Sequence, residues 1–276
     1  MTSDNAITGP TRGAVEPEAD DIAISIVLPA FNEVALLGST VTNLTTGLDE
    51  RSLDYEIVIV ENGSTDGTLR LARALARQMP RVRLVSLPTP NYGAALYAGF
   101  QAARGDTIVN FDVDYYDLGF LDLALKAVAD GETSVVIASK RAPGASDRRP
   151  LIRRCLTFAL STLSMAVLSL PVSDAHGMKA LVRAKLAPII ERTRLRGSIY
   201  DVEVVLRAAR AGLGINELPA TVIERRPPRT SLSRRSVEAL VDVLRLRIIM
   251  TAEDRLNRPA RRAGTTLRQS LGDDAD

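Results

Sequence analysis

Asp112 and Asp114 stand one residue apart where the apolar run of TIVNFDVDYYD gives out. On an extended backbone, residues i and i+2 point to the same side. That spacing offers two carboxylates to one hard cation. Mg2+ or Mn2+ prefers oxygen ligands and keeps room for a phosphate. A solvated turn is the plain alternative, but a buried strand ending in paired charge favours the metal. A second acidic pair is Asp201 and Glu203 in SIYDVEVV. SIYD reads as S-x-x-D, with Ser198 capping a helix and Asp201 in its first turn. Helical residues two apart diverge by about 200°, so only one of the pair can face a crevice. Asp201 is the candidate, because it lies at the end expected to be exposed. His176 is the sole histidine. With no Cys or second His beside it, it makes a poor zinc pattern. No G-x-S-x-G is present, so a Ser-His-Asp nucleophile has no support.

The elements that must position these groups follow from periodicity. IAISIVLP, YEIVIVE, VRLVSL, TIVNF and SVVIAS are short, β-branched apolar runs that read as buried strands. Between the first two, Val34, Leu37, Val41, Leu44 and Leu48 recur at helical spacing. Further helices are expected after Thr68, over YGAALYAGFQAARG with Gly105 as its C-cap, and near residues 118–129. Strands alternating with helices imply βαβ units, a parallel sheet and right-handed crossovers. Ligands of such sheets bind at the carboxyl ends of the strands. The loops 29–33, 61–68 and 112–117 all fall there, so three distant segments converge on one rim. ENGSTDGT reads as a turn and helix start. It lacks the glycine-rich phosphate-cradling patterns, which leaves phosphates to a metal and basic side chains.

After Lys140 the rhythm breaks. A basic loop (Lys140, Arg141, Arg148, Arg149, Arg153, Arg154) leads into an apolar helix over 151–170. A clear amphipathic helix, closed by Gly212, follows Ser198. INELPATVIE reads as a strand pair kinked at Pro219, and a last helix runs from Ser233 to about Met250. Residues 1–20 read as a disordered tail, 21–230 as the main domain, and 231–276 as an amphipathic helix with a charged tail.

Hydrophobic residues make up 46% of the 276-residue chain and charged ones 25%, with a net charge of +2. That balance excludes a nucleic-acid polycation. It still allows local basic patches, such as Arg225, Arg226, Arg229, Arg234 and Arg235, suited to phosphate or an anionic surface. Cys155 is the single cysteine, so no intrachain disulfide forms and a reducing compartment fits. The uncharged stretch 155–172, interrupted by Ser, Thr and Pro171, is borderline against the about 20 residues of a membrane span. It is read as core.

Taken in order, SIVLPAFNE, VIVENGSTDGT, YGAALYAGFQAARGD, FDVDYYD, VVIASKR, LPVSDAHGMKALVR and YDVEVVLRAARAGLGINELP resemble the family 2 glycosyltransferases of GT-A fold. The polyprenol (dolichyl) phosphate mannosyl- and glucosyltransferase branch is the most similar. The resemblance spans roughly residues 22–224. It implies a GT-A-like, Rossmann-type, mostly parallel sheet flanked by helices in a single main domain. It also implies inverting transfer of a sugar from a donor of the GDP-mannose or UDP-glucose type. Pro29, Ala30, Phe31, Asn32 and Glu33 would hold the nucleoside, with Asn62 and Gly63 continuing the pocket. Asp112 and Asp114 would be the family's metal-binding D-x-D, with Asp114 the main ligand of Mg2+ or Mn2+ and Val113 against the ribose. Lys140 would face phosphate, and Arg153 or Arg154 an acceptor phosphate. Asp201 stands at the acidic position that serves as base toward hydroxyl acceptors. The implied partners are a nucleotide-sugar donor and a polyprenyl phosphate acceptor. The setting would be cytoplasmic, with peripheral contact on the inner membrane face. The alternatives are a polysaccharide or small soluble hydroxyl acceptor, or a nucleotide-sugar-binding protein without catalysis. This chain departs from the branch at Glu61 and Asn62, at Tyr115 and Tyr116, and around His176.

Overall fold

Nine strands and eight helices form from these runs in the computed structural model, which describes residues 22–147, 151–222 and 232–256. They are β1 (Ile24–Ala30), α1 (Leu37–Asp49), β2 (Tyr55–Asn62), α2 (Thr68–Gln78), β3 (Val82–Leu87), α3 (Tyr92–Ala102), β4 (Thr107–Asn110), α4 (Leu118–Val128), β5 (Thr133–Ser139), β6 (Ser146–Asp147), α5 (Leu151–Leu168), β7 (Lys179–Val182), α6 (Arg183–Arg192), α7 (Tyr200–Arg210), β8 (Gly214–Pro219), β9 (Thr221–Val222) and α8 (Leu232–Leu256).

Seven strands make one sheet in the order β3-β2-β1-β4-β7-β5-β8. All neighbours are parallel except β7, which runs antiparallel to both β4 and β5. The carboxyl ends of β1, β2, β4 and β5 therefore share one edge. β7 enters that edge with its first residue, Lys179, level with Asn110. β6 and β9 pair separately.

The sheet is buried on both faces, as parallel sheets require. Ile24, Ile26 and Leu28 of β1 face one core with Leu37, Val41, Leu44 and Leu48 of α1, while Val27 faces the other with Leu96 and Phe100 of α3. Each such side chain contributes about 1.5–3 kcal/mol through burial. α1, α2 and α4 pack against the first face, and α3, α6 and α7 against the second. α3 lies close to the sheet at Gly99, where a β-carbon would stand 3.0 Å from Val60 and closer still to Val27.

The structure departs from the sequence reading in several places. Gly105 is not a helix cap. α3 ends at Ala102 with Ala103 extended, and Gly105 instead lets the chain pass the backbone of β1, where a β-carbon would stand 2.5 Å from Ser25 N. β7 was not anticipated, being four residues long and opening on a lysine. The last helix runs on to Leu256, and the apolar helix stops at Leu168. The segments 1–20 and 257–276, with Arg148, Arg149, Arg225, Arg226 and Arg229, lie outside the described residues.

Candidate active site

The first wall of the cleft is a fusion of the β1 and β2 loops. Asn32 adopts a left-handed backbone (φ 55°). Its N–H donates to Ser64 Oγ (3.0 Å) and its Oδ1 accepts from Thr65 N (2.8 Å). Glu33 N donates to Thr68 Oγ1 (2.8 Å). Asp66 accepts from Thr68 N (3.0 Å) and Val34 N (3.3 Å). Burial would raise its pKa, but the hydrogen bond from the Thr68 hydroxyl and then those from the backbone N–H groups lower it from its usual value. Glu61 holds the same turn, accepting from Ser64 N (2.6 Å) and Ser86 Oγ (3.0 Å). Asn62 Oδ1 accepts from Asn91 N (2.8 Å), which ties in the start of α3. Gly63, at φ 68°, has no room for a side chain beside the Thr89 carbonyl carbon.

Asp112 and Asp114 sit on this rim, but a tight turn rather than an extended strand presents them. Asp112 and Tyr115 exchange both backbone hydrogen bonds (3.0 and 3.1 Å), which leaves Val113 and Asp114 at the tip. The assumption that both carboxylates lie on one side of a strand is thereby corrected. Thr40 Oγ1 donates to Val113 O (2.7 Å) and anchors the tip to α1. Tyr92 OH, from the first turn of α3, donates to Asp112 Oδ1 (3.1 Å). Burial and the neighbouring charge of Asp114 push the Asp112 carboxyl up to about 6, against the pull of Tyr92, Lys179 and Lys140. The pair supplies hard oxygen donors, and a divalent cation would relieve the repulsion between them, so these residues fit Mg2+ or Mn2+. Among the described residues, no cluster of three His, Cys, Asp or Glu of metal-binding size occurs.

The opposite wall contains an ion cluster that the sequence reading did not find. Lys179 Nζ donates to Asp201 Oδ2 (3.1 Å) and to Gly177 O (2.9 Å). His176 Nδ1 stands 3.2 Å from the same Oδ2. Asp201 Oδ1 accepts from Val202 N (2.9 Å). Burial alone would raise the Asp201 pKa, but Lys179 and then His176 hold it well below the usual carboxylate range. Burial pulls His176 down, and Asp201 more than offsets that, so the imidazole lies above its ordinary value. The cluster belongs to the same cleft as the D-x-D turn. Burial and the charges of Asp112, Asp201 and Asp114 together push Tyr92 well above the usual phenol value. Gly93 lets the start of α3 pass close to the backbone just before α7, since a β-carbon there would meet Arg196 O at 2.5 Å.

The anticipated residues are thus largely gathered, with corrections. Pro29 and Ala30 are the buried end of β1, and the open part of the loop is Phe31–Glu33. Val113 is buried. Lys140 follows β5 directly, and its N–H donates to Asp174 Oδ2 (3.4 Å). Asp201 is buried rather than exposed. Ser198 does not cap α7, whose N-cap is Ile199 with no side-chain hydrogen bond. Glu203 turns the other way, onto the backbone N–H groups of Arg194 and Leu195 and onto Arg207. Arg153 and Arg154 lie on the first turn of α5, with side chains outside the described set. Among the described residues, no helix is long and apolar enough to cross a membrane.

The family description "Glycosyl transferase family 2" matches residues 25–188. The glycosyltransferase AglD of Haloferax volcanii is 31% identical over 207 residues, covering 73% of this chain and 33% of that protein. The dolichyl-phosphate beta-glucosyltransferase ALG5A of Trichomonas vaginalis is 27% identical over 209 residues, 72% of this chain and 65% of that protein. An undecaprenyl-phosphate 4-deoxy-4-formamido-L-arabinose transferase of Aeromonas hydrophila is 36% identical over 93 residues, 33% of this chain and 28% of that protein. The chain thus spans between about a quarter and two thirds of the length of these relatives. Among solved structures, glucosyl-3-phosphoglycerate synthase from Mycobacterium tuberculosis, in complex with Mn2+, UDP-glucose and phosphoglyceric acid, superposes with a TM-score of 0.60 at 25% identity, covering 82% of this chain and 79% of that one. Mannosyl-3-phosphoglycerate synthase from Rubrobacter xylanophilus shares the fold, with a TM-score of 0.64 at 19% identity over 88% of this chain and 78% of that one.

Proposed function

Because the chain belongs to glycosyl transferase family 2, we propose that it moves a hexosyl group, with inversion, from a nucleoside diphosphate sugar to the phosphate of a polyprenyl monophosphate. The observation that supports the donor half is the Asp112–Asp114 turn at the same carboxyl edge of the sheet as the joined β1 and β2 loops. Phe31, Asn32, Glu33, Asn62 and Gly63 form the nucleoside side, backed by Pro29 and Ala30. Val113 stiffens the turn, and Lys140 adds positive charge near Asp112. The acceptor half is supported by two relatives whose names specify dolichyl-phosphate and undecaprenyl-phosphate transfer.

The reaction demands neutralisation of a leaving diphosphate. A divalent ion held by Asp112 and Asp114 would supply Lewis-acid stabilisation of that charge. The chain's own part is positioning. The β1–β2 wall fixes the nucleoside, and the D-x-D turn and Lys140 meet the diphosphate. The acceptor oxygen then attacks the anomeric carbon from the far side as the C–O bond to the diphosphate breaks. A phosphate oxygen is already anionic and needs no base. Exposed Phe158 and Leu163 on α5, beside the basic Arg141, support peripheral contact with an anionic membrane surface on the cytoplasmic side.

A second reading has its own support. The Mycobacterium structure holds phosphoglyceric acid, so a small soluble phosphorylated acceptor is the alternative. Both readings are tested by following UDP or GDP release from UDP-glucose and GDP-mannose with Mn2+. Release that depends on a short polyprenyl phosphate supports the first. Release that depends on 3-phosphoglycerate supports the second, and no release with either removes both.

A further inference from the structure

We propose that His176 is the acceptor-recognising group of this site, its imidazolium, oriented by Asp201, binding a phosphate monoester on the acceptor. The inference rests on the transferase reading above and names the residue that selects its second substrate.

Asp201 has little left to offer as a base. Its Oδ2 is shared between Lys179 and His176, and its Oδ1 accepts from Val202 N. The ammonium of Lys179 is 1% exposed and is spent on Asp201 and Gly177 O, so it cannot reach a ligand. It does cancel one negative charge. A protonated His176 then leaves the trio with one surplus positive charge, which the nearby Asp174 carboxylate partly offsets. That surplus sits on the only member with open surface. The His176 side chain is 36% exposed, against 8% for Asp201. Since Nδ1 faces Asp201, Nε2 is the nitrogen that can donate outward.

The ring is also aimed. His176 N donates to Asp174 Oδ1 (2.9 Å), and Gly177 follows at φ 125°, with a β-carbon there 2.9 Å from Ala138 O. Any other residue at 177 would shift the loop. Tyr92, which donates to Asp112 of the D-x-D turn, also lies within the field of Asp201, so the cluster borders that turn. An imidazolium donating to a phosphate dianion forms a charge-assisted hydrogen bond. Asp201 acts through His176 and Lys179 and is a positioning residue. The charged groups that bear on the His176 ring are Asp201, Asp174 and Lys179.

The test uses steady-state kinetics of the full chain with a Mn2+ nucleotide sugar and two acceptors. Citronellyl phosphate represents the lipid source of the phosphate, and 3-phosphoglycerate the soluble one. His176→Gln is expected to raise the acceptor KM by about tenfold or more and to leave the donor Kd within about twofold. His176→Lys, which keeps the charge, is expected to recover part of the loss. In the wild type, acceptor kcat/KM should fall as pH rises through the histidine titration. Asp201→Asn should move that alkaline limb to lower pH without moving the acid limb set by the phosphate. A purely structural role would move neither limb. The proposal is overturned if His176→Gln leaves acceptor KM unchanged with both acceptors. It is equally overturned if the rate rises with pH through the same range, which would make His176 a base toward a hydroxyl. A wild type that releases no nucleoside diphosphate with either acceptor overturns the transferase reading beneath it instead. The acceptor that responds to His176→Gln identifies the source of the phosphate.

Discussion

The hydroxyl of Tyr92 donates to Oδ1 of Asp112 across 3.1 Å. It ties the first turn of α3 to the turn that closes β4. The bond fixes one of the two carboxylates expected to face a cation. A hydrogen bond to a charged group contributes about 1.5–3 kcal/mol, and each 1.36 kcal/mol is about tenfold in rate. Tyr92→Phe is therefore expected to lower kcat/KM for the donor by about tenfold or more. The fold should be intact by circular dichroism, since phenylalanine keeps the ring and Tyr92, 41% exposed, is only partly covered. An unchanged rate would show that the turn holds Asp112 without help.

Stability should depend on pH through the cluster of Lys179, Asp201 and His176. Folding depresses the Asp201 pKa. Its contribution is thus complete above the ordinary value of about 3.9 and is lost as pH falls toward the depressed value. Folding raises the His176 pKa. Its contribution is complete below the ordinary value of about 6.5 and fades as pH climbs through the raised one. Urea unfolding of His176→Gln should therefore lose the decline that the wild type shows as pH rises past about 6.5. Asp201→Asn should flatten the acid side. Parallel curves for wild type and variants would contradict the ion cluster.

Lys179→Met leaves a buried carboxylate with one partner fewer. Breaking a buried pair on one side costs about 3–5 kcal/mol. The double variant Lys179→Met/Asp201→Leu is expected to recover much of that loss, because both charges are gone. Denaturant melts of the single and double variants decide this. A single variant as stable as the wild type would show that water compensates Asp201.

Phe158 is 56% exposed and Leu163 45% on α5. Seating each in a bilayer interface contributes about 1.5–3 kcal/mol at most. Wild-type chain should float with liposomes containing anionic phospholipid, and Phe158→Ser/Leu163→Ser should float at least several-fold less. A wild type that stays at the bottom of the gradient would favour the soluble phosphorylated acceptor.

The rim was legible because its signals are local. Apolar runs end in Pro29, Asn62 and Asp112, and the βαβ rhythm alone puts those ends on one edge. What escaped the sequence is what depends on distance. Lys179 and His176 stand 22 and 25 residues before Asp201, and β7 had too few residues to announce itself. A lysine is rarely buried unless paired, so nothing in the local sequence marked Lys179 as part of the site. S-x-x-D suggested a capping box at Ser198, yet the carboxylate of Asp201 turned to a strand lysine. The D-x-D spacing was read on an extended strand, whereas a tight turn presents Asp112 and Asp114.

Binding of UDP and GDP by titration calorimetry, with and without Mn2+, tests the central claim most directly when wild type and Asp114→Ala are compared. The account predicts that Mn2+ tightens binding of at least one nucleotide to the wild type by about tenfold or more, and that Asp114→Ala, still folded, loses this gain. Equal Mn2+ enhancement in both proteins, or none in the wild type, would contradict it.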